Sequence, residues 1–232
     1  MTTLIKNGLV YDGVSREPRR ADVFFEKDKI RAVGPRPRAR ADRVVHADGC
    51  VVIPGLIDTG SDIDRYGGLF SHDIQKEFLR RGITTVIAGG SGVSLAPFRP
   101  DLFRTFFHSS ESFAGNADWK SFADFLSVLR KGRLSLHVGA MAGYRNLYSP
   151  FVSQREMRER VIRVLEEGAL GVSLDWSDPV SYPFSPDAVR ALGEALSSSG
   201  KVCALGLDSS RLLPGPFDMF RRFFSGLRSK LH

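Results

Sequence analysis

The sequence predicts an α/β protein in which a short β-rich segment precedes alternating strands and helices. Before Pro54, short runs of β-branched residues are separated by turn residues such as Asp-Gly and Lys-Asp. After Pro54, segments with helical periodicity alternate with short apolar runs. Because strands that alternate with helices form parallel sheets, we predict a β segment at 1–53, a parallel α/β part at 54–213 and an amphipathic helix at 214–232.

The β segment contains five runs with strand character, which we predict at 3–10, 21–26, 29–34, 43–46 and 50–53. In the second part, helices are predicted at 72–81, 118–131, 154–167 and 186–199, and strands at 83–88, 134–139, 170–174 and 201–206. Ser153 and Ser185 fit the starts of two helices, and Gly168 and Gly200 fit their ends.

Composition indicates a soluble globular chain. Hydrophobic residues make up 42% and charged residues 25% of the sequence, and no apolar run reaches the ~20 residues that span a bilayer. The N-terminus lacks the layout of a signal peptide, so we expect a cytoplasmic protein. Cys50 and Cys203 lie beside apolar runs, which predicts burial rather than a disulfide or a metal clip.

A net charge of +7 raises the question of nucleic-acid binding. The basic residues are dispersed, however, and Pro18, Pro35 and Pro37 break the arginine-rich stretch into turns. No basic stripe interleaved with aromatic residues is present. We therefore expect no nucleic-acid partner.

Several sequence blocks, in order, resemble the start of amidohydrolase-superfamily enzymes. They lie at 4–13, 21–23, 28–34 and 54–59. Further blocks resemble the N-acyl-D-amino-acid deacylase (D-aminoacylase) branch of that superfamily, and they lie at 82–86, 92–97, 116–119 and 167–173. The resemblance covers nearly the whole chain, but only the first half of the family's sequence.

This resemblance implies a small β-sandwich followed by a (β/α)8 barrel. Fewer residues follow Pro54 than the roughly 250 that a complete barrel usually needs. At roughly 30 residues per strand–helix unit, about five units fit. We therefore expect a partial TIM-like (β/α) barrel preceded by a small β-sandwich segment.

The resemblance also implies where metal ligands would lie. In that branch the first barrel strand ends in His-x-His, whose positions here are Gly60 and Asp62. A cysteine ligand corresponds to Ser91, a Gly-His signature to Ala140, and the start of a His-x-Arg-Ser-Glu run to Gly206. A neutral hydroxyl is a poor zinc ligand, and glycine and alanine side chains carry no donor atom. We therefore expect a lost metal site, no catalytic residue and no cofactor.

A weaker interpretation concerns Asp62, Asp64 and His72, because one histidine and two carboxylates could hold a divalent ion. The simpler interpretation is structural. The family has an acidic residue at the Asp64 position, and His72 fits a solvated or capping role at a helix start.

The loop after the strand at 170–174 carries Asp175, Trp176 and Tyr182. This is the side on which barrel proteins bind ligands. A small-molecule pocket without catalysis is therefore predicted here.

Together these patterns predict a degenerate D-aminoacylase-like amidohydrolase homologue, a non-catalytic binding or structural subunit. The alternative is a metal-dependent hydrolase that acts on non-peptide C–N bonds of N-acyl amino acids or related amides, with zinc to activate water. A third interpretation of the same features is a truncated or decaying gene product.

An incomplete parallel barrel has open sheet edges and an uncovered apolar interior. We therefore expect a homo-oligomer or a second chain that covers them. The C-terminal segment places apolar residues on one helical face, namely Phe220, Phe223, Phe224, Leu227 and Leu231. This face could pack on the barrel, form an interface or lie on an anionic membrane surface, and packing or an interface is preferred.

Overall fold

The computed structural model describes residues 1–35, 40–65, 67–107, 117, 119–175 and 186–206. The chain divides into two compact units, Met1–Gly55 and a second unit that starts at Leu56. The predicted amphipathic helix at 214–232 lies outside the described residues. Among the helices that are described, none is long and apolar enough to cross a membrane.

The first unit is a mixed β-sheet. Its described strands are β1 (Thr2–Val10), β2 (Arg19–Glu26), β3 (Lys29–Gly34), β4 (Arg43–His46) and β5 (Val51–Val52). The order is β3-β2-β1-β4, and β5 pairs with the carboxyl end of β1. β1 and β2 are antiparallel, whereas β4 and β5 run parallel to β1. All the strands predicted for this segment are therefore confirmed.

The hydrophobic core of this sheet is small. Val10, Ala21 and Val23 are buried, and they pack with half-buried residues that include Ile5. The described part of this unit forms one sheet, so the second layer of a sandwich stays a prediction. Burial of Cys50 was a wrong prediction, because this residue closes a turn before β5 and its side chain is exposed.

The second unit contains parallel strands. Those described are β6 (Leu56–Asp58), β7 (Ile83–Ala88), β8 (His137–Ala140), β9 (Ala142–Gly143), β10 (Gly171–Asp175) and β11 (Val202–Gly206). One sheet has the order β6-β7-β8 and the other β9-β10-β11, with every pair parallel. Only Met141 separates β8 from β9, and its N–H donates to the Ala88 carbonyl (2.9 Å). The order of the strands in space therefore follows their order in the chain.

Helices alternate with these strands, as the sequence predicts. They are α1 (His72–Arg80), α2 (Pro100–Phe106), α3 (Phe122–Lys131), α4 (Tyr144–Leu147), α5 (Gln154–Glu166) and α6 (Pro186–Ser199). The predicted helices α1, α3, α5 and α6 are confirmed, whereas α2, α4, β6 and β9 are short elements that the periodicity did not reveal. α3 starts at Phe122 rather than at 118, because Ser121 and Asp124 form a capping box there.

The predicted ends of α5 are confirmed. The Ser153 hydroxyl accepts the Glu156 N–H (3.2 Å) at its start. Gly168 follows its last turn with φ 109°, and Gly200 follows α6 with φ 65°. Glycine adopts this left-handed conformation without the strain that a Cβ causes. Ser185 lies outside the described residues.

The core of the second unit lies between the parallel strands and the helices. Its largest fully buried side chains include Phe122, Phe125, Leu95, Tyr144 and Leu192. Each fully buried aliphatic or aromatic side chain contributes about 1.5–3 kcal/mol relative to an exposed one. This core fixes the strand ends at which the candidate site lies.

Candidate functional site

All the positions at which the resemblance places metal ligands lie at or just beyond carboxyl ends of strands in the second unit. Gly60 and Asp62 follow β6, and Ser91 follows β7. Ala140 and Gly206 are the last residues of β8 and β11. This is the end of parallel strands at which barrel proteins carry their functional residues.

Asp62 and Ser91 are in direct contact. The Ser91 hydroxyl donates a hydrogen bond to Oδ1 of Asp62 (2.8 Å). Nε of Arg65 lies 3.4 Å from the same carboxylate oxygen, which is close enough for an ion pair. Nη2 of Arg65 also donates to the Ser91 backbone carbonyl (3.3 Å). Hydrogen bonds and an ion pair therefore connect the loops after β6 and β7 where the resemblance expects metal ligands.

The other three positions offer no side-chain donor atom. Gly60 is exposed, and a Cβ added there would meet no atom within 4 Å. Ala140 is buried at the end of β8. A Cβ added at Gly206 would lie 3.6 Å from Oδ1 of Asp175, so this position lies beside the predicted ligand pocket.

The residues at these positions do not fit zinc. Structural and catalytic zinc sites use three or four sulfur, nitrogen or carboxylate ligands. Asp62 is the one such ligand type among the five positions, and its carboxylate already contacts Ser91 and Arg65. Within the described part of the chain, no group of three or more His, Cys, Asp or Glu side chains could hold a metal ion.

Asp62, Asp64 and His72 therefore do not form a metal-binding group. His72 is exposed as the first residue of α1. The hydroxyl of Ser71 caps this helix by accepting the Ile74 N–H (3.4 Å). The position of His72 at a helix start is the one that the simpler interpretation predicts.

Asp64 is a buried carboxyl group, only 3% exposed. Its Oδ2 accepts the N–H of Gly89 (2.9 Å). The pKa of Asp64 is raised to about 6, chiefly by burial; the charge of Asp62 contributes to the rise, whereas the Gly89 N–H and the cation of Arg65 oppose it. Asp64 thus anchors the glycine-rich loop after β7 with a group that ionises only near neutral pH.

Ser173, in the middle of β10, holds the same loop from the other side. Its side chain is fully buried and accepts the Gly92 N–H (3.0 Å), while its hydroxyl donates to the Gly89 carbonyl. A Cβ added at Gly92 would lie 2.7 Å from the backbone of Asp175. The approach of the loop to β10 therefore requires a glycine.

Asn146 of α4 forms hydrogen bonds with residues 92–97, one of the sequence blocks of the resemblance. Its side-chain carbonyl accepts the Ser94 N–H (2.9 Å), and its amide group donates to the carbonyls of Ser94 (2.7 Å) and Pro97 (2.9 Å). The Ser94 hydroxyl in turn accepts the Gly143 N–H (2.8 Å). Trp119, from another block of the resemblance, donates its Nε1–H to the Leu95 carbonyl (2.7 Å). Separate sequence blocks thus meet at one loop.

The predicted ligand pocket is described in part. Asp175 ends β10, with 22% of its side chain exposed, and its Oδ2 lies 3.8 Å from Nη2 of Arg145. The Arg145 guanidinium is only 3% exposed and lies over the Phe106 ring, 4.9 Å from the centroid. Trp176 and Tyr182 lie outside the described residues.

Arg65, Arg145 and Asn146 are residues of the candidate site that the sequence patterns did not reveal. Arg65 directly follows Asp64 and lies three positions after Asp62, so the mixed charge at 62–65 was an available signal. The run of polar residues at 144–146 directly after an apolar strand end was another. Polar residues at such strand ends are candidates for a site.

The sequence of this chain is similar to two deacylases from Alcaligenes xylosoxydans xylosoxydans, although no protein-family model matches it. D-aminoacylase is 28% identical over 210 residues, which cover 83% of this chain and 40% of the relative. N-acyl-D-glutamate deacylase is 33% identical over 184 residues, which cover 73% of this chain and 36% of the relative. The chain thus spans less than half the length of these relatives.

Solved structures share its fold. The crystal structure of D-aminoacylase, described as a novel subset of amidohydrolases, has a TM-score of 0.77 and 25% identity, covering 97% of this chain and 49% of that chain. N-acyl-D-glutamate deacylase from Bordetella bronchiseptica has a TM-score of 0.70 and 22% identity, covering 87% and 44%. The chain therefore has the mixed α/β fold of the amidohydrolase superfamily. Within that superfamily it is a homologue of D-aminoacylase and N-acyl-D-glutamate deacylase.

Proposed function

We propose that this protein is a degenerate D-aminoacylase-like amidohydrolase homologue, a non-catalytic binding or structural subunit. The proposal rests on a contrast between the positions at which the resemblance places metal ligands and the side chains that surround those positions. The side chains of Asp62 and Ser91 are hydrogen-bonded to each other, and Gly60, Ala140 and Gly206 have no side-chain atom that could bind a metal. Side chains around these positions nevertheless hold the loop after β7 in one arrangement.

The proposed binding role rests on the position of Asp175 at the carboxyl end of β10. Its carboxylate is partly exposed beside the cation of Arg145. A partly exposed ion pair at a strand end can exchange its internal partner for a polar group of a small molecule. We propose that a small polar molecule binds here, with Trp176 and Tyr182 as further candidate contacts.

The alternative is a metal-dependent hydrolase that acts on non-peptide C–N bonds of N-acyl amino acids or related amides. Homology favours it, because D-aminoacylase is a relative whose binuclear metal centre has been characterised structurally. Zinc would supply a Lewis acid and an activated water. The described donor set does not fit that ion, so this hydrolase would need ligands from other residues or from another chain.

The proposal of a partner chain follows from β6 and β11, the first and last strands described in the second unit. β6 pairs only with β7, and β11 pairs only with β10, within the described residues. Leu56 and Ile57 of β6 are 46% and 64% exposed, and Val202 of β11 is 59% exposed. Parallel sheets are normally covered on both faces, and their free edges invite pairing. We propose an open partial barrel that a second copy or another chain covers.

An amide-hydrolysis assay, with light scattering on the same sample, tests this proposal. The substrates are N-acetyl-D-glutamate and N-acetyl-D-aspartate, with and without added zinc, and the matched control is Asp62→Asn. We expect no hydrolysis above the control and a mass in solution above that of one chain. Zinc-dependent hydrolysis by the wild type, whether or not Asp62→Asn abolishes it, would contradict the non-catalytic role, and a monomer at tens of micromolar would contradict self-association.

A further inference from the structure

The sheet of the first unit carries a groove on one of its faces. The groove has a volume of about 320 Å³, which lies within the range of about 300–1,000 Å³ that small-molecule sites occupy. All of its lining residues belong to Met1–Gly55, so the groove is a feature of this unit alone. The lining residues include Thr3, Ile5, Phe25, Lys27, Arg43 and Val45.

The register of the strands places the floor of the groove on one side of the sheet. Thr3 of β1 lies opposite Phe25 of β2 and opposite Arg43 of β4, and Ile5 lies opposite Val45. Side chains two residues apart on a strand, and side chains directly opposite each other on paired strands, share a face. Ile5, Phe25 and Val45 are half-buried, and Ile5 also packs on the core of this sheet. The floor is therefore apolar and continuous with that core.

Two cations line one end of this floor. Lys27 lies beside Met1, because its N–H donates to the Met1 carbonyl (3.0 Å), and Arg43 lies on the other side of β1. A strand spacing of about 4.8 Å and a rise of about 3.3 Å per residue place the Cα atoms of the two cations roughly 12 Å apart. Since both long side chains line the groove, a small anion held between them contacts both.

Neither cation has an ion-pair partner within the described part of the chain, and both are exposed. The acidic residues next to them in sequence have other partners. Glu26 pairs with Arg31 (3.0 Å), and Asp42 accepts the N–H of Thr2 (2.7 Å). The groove thus combines an apolar floor with a positively charged end.

We propose that this groove binds a single-chain amphiphile with one anionic head, a medium-chain carboxylate. The hydrocarbon chain lies on Ile5, Phe25 and Val45, where the burial of each methylene group is favourable. The carboxylate lies between Lys27 and Arg43 and accepts charge-assisted hydrogen bonds from them. This inference goes beyond the proposed function and does not depend on it.

The size and charge of the groove favour this occupant. At roughly 30 Å³ for each non-hydrogen atom, the volume holds about ten such atoms, which is the size of octanoate. A second copy of the chain that docked through the same groove would bring its own Lys27 and Arg43 against these cations. Like charges that face each other across an interface are repulsive.

The test is an NMR titration of the full chain with octanoate below its micelle concentration, with the backbone amides as the signal. We expect saturable shifts in β1, β2 and β4 and a dissociation constant on the order of 1 mM. Hexanoate should bind about tenfold more weakly, because it buries two fewer methylene groups. Octylammonium, which reverses the charge, and acetate, which lacks the chain, should not produce these shifts.

Substitution of the two cations tests the position of the head group. Lys27→Gln and Arg43→Gln should each weaken octanoate binding about threefold, and the double variant about tenfold. Both residues are exposed, so the variants should fold. Lys29→Gln is the matched control, because Lys29 is an exposed lysine of β3 that does not line the groove. It should bind octanoate like the wild type.

Three results of the titration would overturn the inference: no saturable shifts with octanoate, equal shifts with octylammonium, or an unchanged affinity in the double variant. Shifts of these strands that depend on protein concentration alone would overturn it by assigning the groove to a second copy. Binding to anionic vesicles without binding of free octanoate would overturn it by assigning the groove to a membrane surface.

Discussion

Replacement of Asn146 by alanine is expected to lower the free energy of unfolding by about 3–5 kcal/mol. Asn146 is 5% exposed, and its side chain forms hydrogen bonds with three backbone groups, the N–H and carbonyl of Ser94 and the carbonyl of Pro97. Alanine leaves these groups without the partner. Each buried group that loses its hydrogen bond costs about 1–3 kcal/mol. Urea denaturation at constant pH measures the change.

Two variants serve as controls for Asn146→Ala. Asn146→Asp keeps an acceptor for the Ser94 N–H but has no amide hydrogens for the two carbonyls, so it should also be destabilised. Glu194→Ala changes an exposed residue of α6 and should alter stability by no more than about 0.5 kcal/mol. A loss below about 1 kcal/mol for Asn146→Ala would show that Asn146 does not fix this loop.

Stability should fall as the pH rises through the range in which Asp64 ionises. The pKa of Asp64 is raised by burial from 3.8 to about 6 in the folded protein. The folded state therefore holds this proton at pH values where the unfolded chain has lost it. Between pH 4 and 6 the unfolded state binds fewer protons, so the free energy of unfolding decreases with pH, by about 3 kcal/mol in total from this group.

Asp64→Asn should remove this dependence, because an amide does not ionise and its oxygen can still accept the Gly89 N–H. The stability of Asp64→Asn relative to wild type should therefore increase between pH 4 and pH 7. Asp73→Asn, an exposed and ion-paired site, should show no such increase. Urea denaturation of the three proteins at several pH values provides the comparison. A constant difference between wild type and Asp64→Asn would contradict the buried, proton-holding state of Asp64.

The sequence predicts the main elements because their patterns are local. β-branched runs between turn residues mark the first sheet, and Ser153 and Gly168 mark the ends of α5 through hydrogen bonds and backbone angles that depend on near neighbours. Short elements such as α2 and β9 are set by packing and by pairing with strands far along the chain. Their sequences are too short to show a period.

The candidate site could be located from the sequence, but its chemistry could not. The resemblance placed Asp62 and Ser91 at ligand positions, and the structure brings them into contact. The role of Arg65 depends on a contact with a residue in another loop, which no periodicity encodes. The buried position of Arg145 likewise follows from tertiary packing.

The metal content of the purified protein tests the central claim most directly. The protein is prepared without chelators, and zinc and other divalent metals are determined by elemental analysis against protein concentration. We predict substoichiometric metal, because Arg65 and the Ser91 hydroxyl engage the Asp62 carboxylate, and Gly60, Ala140 and Gly206 have no side-chain donor atom. One zinc ion per chain, retained through dialysis, would contradict the account and favour the hydrolase.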